Sequence, residues 1–142
     1  MFPFLQRLPL HKLENEYIHK IQVVEKKKKD LIIINGRNIW PQDLEQIAEQ
    51  QPEFRPGDAL AFAVPDVDGT DTIVIMVQSR EKDAEQLTEL GKRLHGLVLG
   101  EMGVECRIEL VPLHTLPRTS SGKLSRSKAR LNYIDGHRVD QQ

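Results

Sequence analysis

The sequence predicts an α+β fold: a small mixed β-sheet flanked by helices and preceded by a β-hairpin. Three observations predict it. The runs Leu31–Ile34 and Thr72–Val77 are β-branched and apolar, and Cys106–Leu110 alternates apolar with polar, as strands do. Between them lie two apolar stripes at helical spacing, one after Pro41 and one over Asp83–Met102. The resulting order is hairpin, helix, strand, strand, helix, strand, loop, helix, which implies one sheet with helices packed on it.

Residues 1–16 hold two prolines and no clear period, and are expected to be irregular. Tyr17–Val24 alternates loosely through Ile18, Ile21 and Val23, so it reads as a strand. Lys26–Lys29 reads as a solvated turn rather than an anion site, and Leu31–Ile34 as the second strand of the hairpin. Asn35-Gly36-Arg37-Asn38 is a second turn signal. Pro41 suits the first position of a helix, where its missing N–H costs nothing, and Asp43 and Glu45 suit the positive end of the helix dipole. Leu44, Ile47 and Ala48 share a face, and Pro52 should end this helix near Gln51.

Glu53–Asp58 is an expected loop and Ala59–Val64 a small apolar strand. Pro65–Gly69 is a strong turn signal, with Asp66 and Asp68 present for turn reasons. Thr72–Val77 is almost wholly β-branched or apolar, which fits a strand buried on both faces in mid-sheet. Leu87, Leu90, Leu94, Leu97 and Val98 form the stripe of the long helix, with Gly103 as its stop. A half-exposed strand through Cys106, Ile108 and Leu110 follows, then a polar loop, then a last helix over about Ser125–Tyr133. The domain is expected to span residues 17–135, with 136–142 a tail. A sandwich this small has no obvious deep pocket of its own.

With 142 residues the chain suffices for one cored domain, and a net charge of −1 gives no strong pull toward nucleic acid or anionic membrane. The single cysteine, Cys106, rules out an internal disulfide framework and fits a reducing compartment, hence a cytoplasmic location. No apolar run approaches the roughly 18 residues of a membrane span.

One stretch sets up a reactive group. In Leu116–Arg130, reading LPRTSSGKLSRSKAR, the polar loop Arg118-Thr119-Ser120-Ser121-Gly122 presents Lys123. The hydroxyls favour turns, and a lysine at such a tip offers three donors to an anion. A Walker A loop is excluded: Leu124 follows Lys123 where Ser or Thr belongs, and Pro117 stands where the first glycine belongs. The five histidines are scattered, and no His or Cys pair has metal-ligand spacing. The basic run of the last helix lacks the interleaved aromatics of a nucleic-acid surface.

Two segments resemble one family, the adenylate-forming enzymes, which include acyl-CoA synthetases, peptide-synthetase adenylation domains and luciferases. Its C-terminal signature is roughly P-[KR]-T-x-[ST]-G-K-x-x-R, on which Pro117, Arg118, Thr119, Ser121, Gly122, Lys123 and Arg126 fall. Asp30–Glu45, reading DLIIINGRNIWPQDLE, resembles the other motif of the same C-terminal domain, in its fatty acyl-AMP ligase form. The chain departs from the family at Lys26-Lys27, where Gly-Arg is usual.

The resemblance implies the C-terminal lid domain of a fatty acyl-AMP ligase, incomplete without the large N-terminal domain whose motifs do not occur here. It implies a catalytic role for Lys123, with Arg118, Thr119, Ser120, Ser121 and Gly122 forming a loop for substrate and nucleotide. Asp30 would be the hinge, and Gly36, Arg37 and Asn38 would line the path of a thiol. ATP and magnesium would be bound with the large domain, none by this chain alone, and the acceptor would be the phosphopantetheine of an acyl carrier protein. A stand-alone module binding a carrier protein or another acidic partner is the alternative.

Overall fold

The structure, a computed structural model, describes residues 30–140. Its first element is a hairpin of β1 (Ile32–Ile34) and β2 (Arg37–Ile39), antiparallel with Ile33 opposite Asn38. Asn35 and Gly36 make the whole turn, both at positive φ (51° and 77°). That pair of left-handed residues matches the strand twist of a two-residue hairpin, and Asn-Gly suits it. Here the structure corrects the expectation. Arg37 and Asn38 are strand rather than turn, and they pair with Ile34 and Ile33. Arg37–Ile39 is too short for its period to show in the sequence. The expected strand Tyr17–Val24 lies outside the described residues.

Helix α1 (Pro41–Glu49) starts on Pro41 after an extended Trp40 and buries Pro41, Leu44, Ile47 and Ala48. Strands β3 (Ala59–Pro65) and β4 (Asp71–Ser79) are antiparallel. Their turn is held by its own side chains: Asp66 accepts from the Val67 N–H and the Thr72 hydroxyl, and Asp68 accepts from the Thr70 hydroxyl at 2.6 Å. Helix α2 (Ala84–Met102) buries Leu90, Leu94 and Val98, and stops at Gly103, whose N–H reaches the Leu99 carbonyl. It returns the chain to β5 (Cys106–Pro112), parallel to β4. Helix α3 (Arg126–Asp140) runs about two turns beyond the expected end at Tyr133.

The strand order is β3-β4-β5, so β4 is central and the sheet is mixed. Alternate residues of β3 and β4 feed two separate cores. Ala59, Ala61, Ile73, Ile75 and Val77 pack with α1, α2 and the β1–β2 hairpin. Leu60, Phe62, Val64 and Val74 pack with Leu116 and α3, where Phe62 meets Tyr133 edge-on at 5.8 Å. This is why Ile73–Val77 is apolar throughout: its period of two is filled on both sides. Burial of each large aliphatic side chain here contributes roughly 1.5–3 kcal/mol.

Candidate functional site

The segment after β5 is pinned before it becomes a loop. Thr115 donates its hydroxyl to the Pro112 carbonyl. Leu116 is buried in the second core, and its N–H donates to the side-chain oxygen of Gln78 at 3.0 Å. Gln78 stands at the end of β4 and is only 6% exposed.

From there the chain makes a stub of antiparallel hairpin, with Arg118 bridged to Leu124. The Thr119 N–H donates to the Lys123 carbonyl (2.7 Å), the Gly122 N–H to the Thr119 carbonyl (2.9 Å), and the Ser125 N–H to the Pro117 carbonyl (2.9 Å). Gly122 has φ of 85°, which closes the turn without the steric cost a Cβ would bring. The Arg118 guanidinium braces the loop by donating to the Gly122 carbonyl at 2.8 Å, and the Thr119 and Ser121 hydroxyls bond each other at 2.8 Å. Leu124 packs on the second core. Arg118 through Lys123 are exposed. The Lys123 ammonium has no hydrogen-bond or ion-pair partner among the described residues, so an ordered backbone carries an uncommitted cation into solvent.

The second predicted group sits elsewhere. Arg37 reaches from β2 to the end of α2, donating to the Met102 carbonyl (2.7 Å) and the Gly103 carbonyl (3.4 Å). Those carbonyls lack helical partners and lie at the negative end of the helix, so a guanidinium suits them. Gly36 and Asn38 are exposed beside it. This corner rims an open cleft of about 750 Å³, shared by Asn35, Arg37, Asp66, Asp71, Cys106 and Arg107. Burial pushes the Cys106 thiol up to about 11, so it is a core group and not a nucleophile. Asp30 lies half-buried in a turn ahead of β1.

The sheet therefore separates the two predicted groups. The cleft lies at the start of β4 and β5, and the Lys123 loop is anchored at their ends, on Gln78 and Pro112. Thr72 to Gln78 spans about 20 Å at the ordinary strand rise. Two residues that the sequence reading placed otherwise, Glu45 as a helix-dipole charge and Arg126 only as a position of the signature, join the motifs that carry these groups. Glu45 of α1 and Arg126 of α3 form a half-buried ion pair at 2.8 Å. One signal was legible: Glu45 lies between Pro41 and Ala48 on the buried side of α1. Among the described residues no group of three or more His, Cys, Asp or Glu is placed to hold a metal ion, and no helix is long and apolar enough to cross a membrane.

Residues 36–128, from the Gly36 turn through the Lys123 loop, match the family described as the AMP-binding enzyme C-terminal domain. The chain belongs to that family. This AMP-binding enzyme C-terminal domain is 48% identical over 115 residues to a protein of Caulobacter vibrioides provisionally named an acyl-CoA synthetase, covering 80% of this chain and 20% of that protein. It is 31% identical over 113 residues to the medium-chain-fatty-acid–[acyl-carrier-protein] ligase JamA of Moorena producens, covering 76% of this chain and 19% of that one. A structure from a study of fatty acyl-adenylate ligases of E. coli and L. pneumophila superposes with a TM-score of 0.70 at 45% identity, covering 78% of this chain and 19% of that one. The chain thus spans about a fifth of the length of the relatives it matches.

Proposed function

We propose that this domain is the lid of a fatty acyl-AMP ligase and that Lys123 is its catalytic cation. In the first half-reaction a fatty carboxylate oxygen attacks the α-phosphorus of ATP, the bond to pyrophosphate breaks, and acyl-AMP forms. Negative charge grows on the α-phosphoryl oxygens as this happens. A cation placed there in advance, with water excluded, stabilises the transition state more than the ground state. Lys123 on its braced loop fits that task, with Thr119, Ser120 and Ser121 offering hydroxyls beside it and Arg118 having donors beyond the one given to Gly122. In this reading magnesium is held with ATP on the large domain.

In the second half-reaction a thiol attacks the acyl carbonyl and AMP leaves. The Gly36–Arg37–Asn38 corner is proposed to line the approach of that thiol, with Asp30 as the hinge about which the lid turns. The name of the Moorena producens relative supports a carrier protein as the source of the thiol. The observation that carries the reading is the placement of the two groups at opposite ends of β4: both cannot face one reaction centre at once, and a lid that rotates between half-reactions presents each in turn.

The test joins this chain to a large adenylating domain and follows acyl-AMP formation. Lys123→Ala is expected to lower its rate by about 10²–10³, the usual effect of removing one such donor. Unchanged rates would remove Lys123 from the chemistry, and robust acyl-AMP formation by this chain alone would end the assignment as a lid.

A further inference from the structure

We infer that Glu45 and Arg126 are positioning residues that set the stance of the Lys123 loop; the inference rests on the reading of Lys123 given above. Arg126 is the first residue of α3, three positions after Lys123. Its Nε donates to the Ala61 carbonyl at 2.9 Å, and its Nη2 donates to both carboxylate oxygens of Glu45, at 2.8 and 3.1 Å. Glu45 Oε2 also accepts the Ala61 N–H at 2.9 Å. Both outward backbone groups of one residue on an edge strand are therefore taken by one carboxylate from α1 and one guanidinium from α3. The two helices lie on opposite faces of the sheet, so the pair clasps its edge. Arg130 repeats the grip with a bond from its Nε to the Ala63 carbonyl at 2.7 Å.

The consequence falls on the loop. Its leading end is fixed by Leu116 on Gln78, and its trailing end by Ser125 on Pro117, next to Arg126. Lys123 hangs between these anchors, and the clasp adds a directional tie of the trailing one to the sheet edge, beside the packing of Leu124 and Ala129 on the second core. Protection of a β-edge does not need such a device, since a solvated lysine or a covering apolar side chain suffices. A forked, part-buried pair is directional: it fixes where α3 begins in both rotation and translation. An ammonium aimed at a phosphoryl oxygen needs that, because a displacement of 1 Å can cost about a hundredfold in rate.

The experiment uses the joined enzyme and measures the two half-reactions separately, the second from supplied acyl-AMP. Arg126→Ala and the milder Glu45→Gln, which keeps an acceptor for the Ala61 N–H, are expected to lower kcat for acyl-AMP formation, Arg126→Ala by at least about tenfold. KM for ATP and the rate of thiol acylation should change by less than about twofold, and Arg126→Lys should recover part of the loss. Added to Lys123→Ala, either change should lower the rate no further, because both act through Lys123. Equal losses in both half-reactions, or losses that add to that of Lys123→Ala, overturn the inference while leaving Lys123 catalytic. If Lys123→Ala itself has no effect, the underlying reading fails instead.

Discussion

Replacement of Arg126 by Ala should destabilise the domain far more than its place at the start of a helix suggests. The Arg126 and Glu45 side chains are 17% and 12% exposed, so their pair is largely removed from water. A buried ion pair contributes little net stability when intact, but loss of one partner strands the other charge, at about 3–5 kcal/mol. That is a large part of the 5–15 kcal/mol typical of a domain. Burial already pushes the Glu45 carboxyl above its ordinary value, against the lowering pull of Arg126 and the Ala61 N–H. Without Arg126 it should rise further. A carboxyl raised in the folded state contributes stability that is complete below its unfolded value and lost as pH rises through the folded one. The penalty of Arg126→Ala should therefore be full at neutral pH and shrink as pH falls toward about 4.5. Adding Glu45→Gln should restore about 1–3 kcal/mol at pH 7 by removing the stranded charge. Urea unfolding at pH 7 and pH 5 measures all of this through the midpoint at constant slope. A loss below about 1 kcal/mol, or one indifferent to pH, would refute the argument.

Gly122→Ala puts a Cβ at φ of 85° with no neighbour within 4 Å, so only backbone strain opposes it. A fall in stability of about 1–2 kcal/mol in thermal melting, with a larger fractional loss of acyl-AMP formation in the joined enzyme, is expected. Native Cys106 should resist alkylation at pH 8 and react once the domain is unfolded in urea. Its thiol, raised by burial to about 11, should make the domain lose stability as pH climbs from about 9 toward 11, because only the unfolded thiol ionises in that window. Tyr133, raised mainly by burial, acts in the same sense, so Cys106→Val should flatten part of the alkaline slope and leave the rest.

The sequence alone determined what local chemistry dictates. Pro41 opens α1, Gly103 closes α2, the apolar run of β4 demands a central strand, and Thr119–Gly122 can only be a tight polar turn bearing a lysine. Each reading rests on residues a few positions apart, where side-chain period and turn preference act directly. The tertiary structure decided whatever depends on pairing across the chain. Arg37–Ile39 is a strand because β1 folds back on it, a choice that three polar-to-apolar residues cannot announce. Arg118, read as a substrate ligand, is also the brace of its own loop. Ala61 has groups to satisfy only because β3 lies at a sheet edge. Glu45 and Arg126 stand 81 residues apart and become partners only when α1 and α3 cover opposite faces of that strand. The distance between Lys123 and Gly36 was likewise set by the sheet: a strand direction and a register, neither written in any one residue, place them at opposite ends of β4.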